Sequence, residues 1–117
     1  MQKLLFTLLA FVGFSVATMA HEGYHVGETI SNFSLKNVNG KNVSLSDYKD
    51  AKGFIITFTC NHCPYSVAYE DRIIALHNTY AAKGYPVIAI NPNDAVQYPS
   101  DNFENMQIRA KEKKFPF

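Results

Sequence analysis

The sequence predicts an α/β domain organised around one parallel strand–helix–strand unit, and three observations predict it. Residues 54–59, Phe-Ile-Ile-Thr-Phe-Thr, are continuously apolar or β-branched, leave no face for water and read as a buried central strand. From Val67 onward, Glu70, Ile73, Ile74, His77, Tyr80 and Ala81 recur at helical spacing, and Gly84 offers a C-terminal stop. Residues 86–90, Pro-Val-Ile-Ala-Ile, are a second short apolar run, so the two strands are expected to lie parallel with a right-handed crossover.

The elements follow in order. Residues 1–20 carry one early positive charge at Lys3, an apolar run from Leu4 to Val16, and Ala20 at a possible cleavage point; this is the pattern of a secretory signal peptide. A retained spanning helix would need about 20 apolar residues, and this run is shorter. The mature chain, 21–117, is expected in a secreted or periplasmic setting, where disulfides persist, with no stable membrane insertion after cleavage. Residues 21–30 read as an extended lead-in. Alternating apolar positions at Phe33, Leu35, Val43 and Leu45 place strands near 33–37 and 42–45, joined by a two-residue turn at Asn39-Gly40. Ser46-Asp47-Tyr48 reads as a short turn and Lys52-Gly53 as a break.

After the second apolar strand, residues 91–99 are rich in Asn, Asp and Pro and read as a loop. Asn91 to Asp94 should emerge at the same sheet edge as Cys60. Ser100 or Asp101 is expected to cap a helix running to about Lys114, supported by Glu104. Lys111, Lys113 and Lys114 suit its C-terminal dipole without further partners. Glu70 and Asp71 are expected on a solvated face, and His77 as a packing or surface residue. The chain ends on Phe115-Pro116-Phe117, where a helix would ordinarily lead back into the sheet. The expectation is a domain incomplete at its C-terminus, with the last strands missing.

Composition narrows the function. A 47% hydrophobic, 18% charged chain of 117 residues is a globular composition, and a formal charge of +1 supplies no basic field for nucleic acid. Both cysteines sit in Phe58-Thr59-Cys60-Asn61-His62-Cys63-Pro64-Tyr65. A Cys60–Cys63 bridge closes a tiny loop and would be a poor structural staple. As zinc ligands they supply two donors, with no second cysteine pair and no His-x-x-x-His to complete the set, and His62 lies inside the pair. The redox reading fits best. A strand feeds into the pair and a helix starts there, so Cys60 would lie at a helix N-terminus, where unpaired N–H groups favour a thiolate. Cys63, one turn on, can resolve a mixed disulfide, and Pro64 is tolerated in a first helical turn. His62, when protonated, would further favour the thiolate. Tyr65 is placed to line a substrate surface or to pack. No bound cofactor and no metal are required.

The stretches Phe33-Ser34-Leu35, Asn39 to Leu45, Phe54 to Pro64 and Pro86 to Asn91 resemble the thioredoxin-like redoxins, the group of alkyl hydroperoxide reductase and thiol-specific antioxidant proteins, over about residues 26–117. The resemblance implies a thioredoxin-like fold with an N-terminal hairpin and thiol–disulfide exchange through Cys60 and Cys63. The partners would be protein thiols or disulfides, a small thiol or a peroxide. Against many members, Thr59 stands where a Trp precedes the first cysteine, no residue matches the cis-proline, and the strand 54–59 carries no carboxylate. Two alternatives stay open. One is a peroxidase using Cys60: Thr57 matches the Thr three before a peroxidatic cysteine, whereas Gly53 stands where that motif has Pro. The other is a non-enzymatic metal-binding or interaction module of the same fold.

Overall fold

Leu35 faces Val43 across the first strand pair, and that apolar contact sets the register of a short antiparallel hairpin, β1 (Ser34–Lys36) with β2 (Asn42–Ser44). The structure is a computed structural model that describes residues 23–117. The expected leader at 1–20 lies outside the described residues. The chain divides into Met1–Ile30 and Ser31–Phe117. In the first unit, the described residues hold a turn in which Glu28 Oε2 accepts from the His25 amide at 2.9 Å, with Gly27 at φ 96°.

The hairpin turn differs from the sequence expectation. The Gly40 N–H donates to Asn37 O, and the Asn37 N–H to Lys41 O, each at 2.8 Å. Val38 and Asn39 are therefore the central turn residues, and Gly40, at φ 83°, takes the left-handed position after them. A two-residue turn at Asn39-Gly40 would need positive φ at Asn39, which Asn39 does not have. Ser44 then opens a 3-10 turn, Leu45–Asp47, through a capping box with the Asp47 carboxylate.

The expected strand–helix–strand unit is present. β3 (Ile55–Phe58) runs parallel to β4 (Val87–Ile90), Ile55 beside Val87 and Phe58 beside Ile90. Between them α1 (Pro64–Tyr80) ends in a 3-10 turn, Ala81–Lys83, stopped by Gly84 at φ 93°. Among the described residues Val87 is a fully buried apolar side chain, and the His77 imidazole accepts its amide through Nδ1 at 3.3 Å, which ties α1 to the start of β4. The expectation that residues 54–59 are buried on every side is corrected. β3 pairs with β4 alone among the described residues, and Phe58 is 68% exposed.

The last helix, α2 (Phe103–Lys113), is capped by Asn102, whose Oδ1 accepts from the Asn105 amide at 2.8 Å. A 3-10 turn over Pro99–Asp101 moves the helix start beyond Ser100 and Asp101, the two expected caps. Gln107 Nε2 donates to Val38 O at 2.6 Å, and the Lys36 ammonium lies 3.9 Å from the centre of the Phe103 ring, so α2 holds the hairpin. Glu70, expected on a solvated face, is buried. It takes a bidentate pair of hydrogen bonds from Arg109 Nε and Nη2, both at 2.7 Å, and lies 3.4 Å from Lys113 Nζ. Among the described residues no helix is long and apolar enough to cross a membrane.

That ion pair generates a stability test. Arg109→Ala strips the fork from a buried carboxylate and should cost about 3 kcal/mol in urea unfolding, since breaking a buried pair on one side is strongly destabilising. Replacing both partners, Glu70→Leu with Arg109→Leu, should recover most of the loss because no charge is then left buried.

Candidate redox site

β3 delivers the chain to Thr59 and Cys60, and the strand ladder ends there with the Thr59 N–H on Ile90 O at 2.9 Å. The next residues bend back before α1. Cys63 is the N-cap of α1 and Pro64 its first residue, so it is Cys63, not Cys60 as expected, that stands at the helix N-terminus. Pro64 suits the first helical position because it has no amide to leave unpaired. Cys60 is fixed by another contact. Its N–H donates to Ser66 Oγ at 3.0 Å, and that hydroxyl also bonds Thr59 Oγ1 at 2.7 Å. Both cysteines are free thiols and half-buried.

The two residues between the cysteines are held by a group that the sequence did not point to. Asp101 Oδ1 accepts from the amides of Asn61 at 2.7 Å and His62 at 3.2 Å. Asp101 Oδ2 accepts from Asn93 Nδ2 at 2.7 Å and bonds His62 Nδ1 at 2.5 Å. A carboxylate without a proton can only accept, so His62 carries its proton on Nδ1, which leaves Nε2 as the open ring nitrogen. The main chain extends the same junction: Asn61 Nδ2 donates to Ser100 O and Asn91 Nδ2 to Asp101 O, both at 2.9 Å. The Tyr98 ring lies flat on the imidazole, 4.7 Å between centres and 8° from parallel. Asp101 is buried while the His62 side chain is 39% exposed.

The Asp101 carboxyl is subject to opposing effects. Burial pushes it up, but hydrogen bonds from Asn93, His62 and the Asn61 amide, with the charge of His62, prevail and hold it below its ordinary value of 3.8.

Cys60 Sγ, a ring nitrogen of His62 and a carboxylate oxygen of Asp101 all lie within 4.8 Å of one another, a spacing that a metal ion could bridge. The donors do not fit that use. Both Asp101 oxygens already accept two N–H groups each, which a metal would have to displace, so His62 and Asp101 form a hydrogen-bonded pair with the Cys60 sulfur close by. Beside it, Thr57, Phe58, Cys60, Cys63, Tyr65 and Tyr69 contribute to an open groove of about 400 Å³. Tyr65, 80% exposed, lines this surface and does not pack in a core.

The sequence reading placed Cys60, His62 and Cys63 together by adjacency, and placed Asn91 to Asp94 at the same edge. It missed Asp101, read as a helix cap. The signal available was the run Pro99-Ser100-Asp101-Asn102, which holds three possible caps for one helix and so leaves two free for other tasks.

Comparison with known proteins gives this arrangement a context. The family model described as AhpC/TSA matches residues 26–117. The glutathione peroxidase homolog BsaA of Halalkalibacterium halodurans is 35% identical over 77 residues, which is 65% of this chain and 48% of that protein. An uncharacterized conserved protein from Geobacillus kaustophilus is 44% identical, with a TM-score of 0.72 over 78% of this chain and 49% of its own. A thiol:disulfide interchange protein of the thioredoxin family from Chlorobium tepidum aligns with a TM-score of 0.60 at 21% identity, over 74% of this chain and 54% of its own, and shows the fold alone. The chain spans about half the length of these relatives.

The Asp101 junction predicts an acid-sensitive contribution to stability. Its folded value is depressed, so the contribution is complete above about pH 4, where the unfolded carboxyl is also ionised, and is lost as pH falls through the lower folded value. Unfolding curves of the parent chain and Asp101→Asn should therefore converge as pH drops from about 4 towards about 2. Asp47, also depressed by its hydrogen bonds to Ser44, titrates in both proteins and cancels in the difference.

Proposed function

Since this chain belongs to the AhpC/TSA family and has a thioredoxin-like α/β fold, we propose that it is a thiol–disulfide oxidoreductase working through Cys60 and Cys63. The observation that carries this reading is the pair itself. Two free, half-buried thiols flank a clamped two-residue loop at the start of a 17-residue helix and open onto a groove with apolar walls. In the reducing direction, the Cys60 thiolate attacks one sulfur of a partner disulfide. A Cys60–partner bond forms, the partner's S–S bond breaks, and the departing thiolate takes up a proton. Cys63, as thiolate, then attacks Cys60 and releases the second partner thiol. The chain is left with a Cys60–Cys63 disulfide, and one electron pair has passed to the partner. The reverse sequence oxidises a dithiol. Tyr65 and Phe58 flank the groove and offer apolar contact to a peptide or a small disulfide. In the reading of residues 1–20 as a leader, the exchange takes place in a secreted or periplasmic setting.

A peroxidase reading has specific support in the likeness to a glutathione peroxidase homolog and in Thr57, which lines the same groove three residues before Cys60. There, Cys60 would be oxidised by peroxide to a sulfenic acid and Cys63 would condense with it, releasing water.

One set of variants separates the two. In the exchange reading, Cys63→Ser traps a mixed disulfide between Cys60 and a disulfide-bonded peptide, and Cys60→Ser gives none. Peroxide consumption stays at the level of free thiol in the parent chain. Rapid peroxide loss, abolished by Cys60→Ser, would favour the peroxidase, and a Cys60→Ser chain that still exchanges would overturn both assignments.

A further inference from the structure

A carboxylate that grips both residues between two cysteines is placed to govern their chemistry. Asp101 comes from the turn before α2, 39 residues beyond His62, yet it bonds the Asn61 amide, the His62 amide and the His62 ring at once. A helix cap needs none of these contacts, and Asn102 does the capping. Asn93 donates to the same Asp101 oxygen that bonds the His62 ring, and Asn61 Nδ2 donates to Ser100 O, so the carboxylate and its turn are held in place. The groups facing the imidazole are Asp101 and Tyr98 from that turn and Cys60 from its own loop.

We propose that Asp101 is the positioning residue of the redox pair: it sets the His62 tautomer and holds a ring nitrogen within 4.8 Å of the Cys60 sulfur, so that Nε2 is the nitrogen free to take up the Cys60 proton and the resulting imidazolium stays near the thiolate. The step balances. Cys60–SH loses its proton, His62 Nε2 gains it, no electrons move, and the positive charge lies between the Asp101 carboxylate and the Cys60 sulfur. When a partner thiolate leaves, the same proton is available to it. The bond to Asp101 works as an orienter does in a nucleophile–base pair, fixing which nitrogen is free and stabilising the charged ring. Tyr98, stacked on the ring, keeps it from rotating away. The hydrogen bonds it accepts outweigh the effect of burial and keep Asp101 ionised across the neutral range, which this role requires.

The inference rests on the redox reading of Cys60 but is tested without turnover. The first measurement uses the unmodified chain: nitrogen NMR of the imidazoles should find neutral His62 with its proton on Nδ1 and none on Nε2. A His62 protonated on Nε2 with Nδ1 bare would overturn the proposal, and no variant needs to fold for this result. The second follows Cys60 alkylation against pH in a Cys63→Ser background. Asp101→Asn should slow alkylation near pH 6 about tenfold and displace the profile to higher pH. His62→Gln should do the same, and the double variant should be no worse than either single. A profile unmoved by Asp101→Asn, or losses that multiply in the double variant, would overturn it. If these results hold and the chain nonetheless exchanges no disulfide, the exchange reading fails and the Asp101 assignment stands.

Discussion

The Asp101 carboxylate accepts four hydrogen bonds in a place closed to water, and the arrangement of the site follows from that constraint. A buried carboxylate is tolerable only when its lone pairs are satisfied, since desolvation otherwise favours the neutral acid. Two of the four donors are main-chain amides of the loop that separates the cysteines. Satisfying the charge therefore fixes that loop, and with it the relative placement of Cys60 and Cys63. The remaining donors, Asn93 and His62, both bond Oδ2 and come from different loops, so the carboxylate joins the loop after β4 to the loop after β3.

This junction explains why the parallel pair is so short and yet serves as a platform. β3 and β4 run side by side for four residues each and release their chains at the same edge. Polar side chains take over where the ladder stops. Thr59 and Ser66 lock the first turn of α1 against the strand end, and Asn91, Asn93 and Asp101 lock the other loop. A buried charge appears again at Glu70, where α1 meets α2. Both carboxylates join segments about 40 residues apart, and each makes the position of one helix end or face depend on another.

The reactive side of the site is built differently. Phe58, Tyr65 and Tyr69 present large apolar area to solvent around Cys60 and Cys63. Exposed aromatic surface of this kind is costly to leave bare and is characteristic of a contact surface. The clamped polar side and the open apolar side meet at the sulfur atoms, so the thiols lie between a hydrogen-bonded support and an open groove.

What the sequence by itself determined was local. The Asn-Gly pair marked a hairpin, the two apolar runs and the helical repeat between them marked the crossover unit, and two cysteines three apart before Pro64 marked the site. Each rests on residues within one element, where periodicity and turn chemistry act over a few positions. Details that depended on neighbours were not legible. The turn moved one residue because the Asn37–Lys41 hydrogen bond set the register of the loop, and Cys63 replaced Cys60 at the helix start because the bend after Cys60 is held by Ser66 and Asp101. Glu70 read as solvated because nothing in α1 shows that Arg109 will lie across it. Asp101 read as a cap because Asp before a helix commonly is one. Only the tertiary structure decided that a 3-10 turn would hand the cap to Asn102 and turn Asp101 toward His62, since a carboxylate's role is set by the donors that folding brings to it from distant parts of the chain.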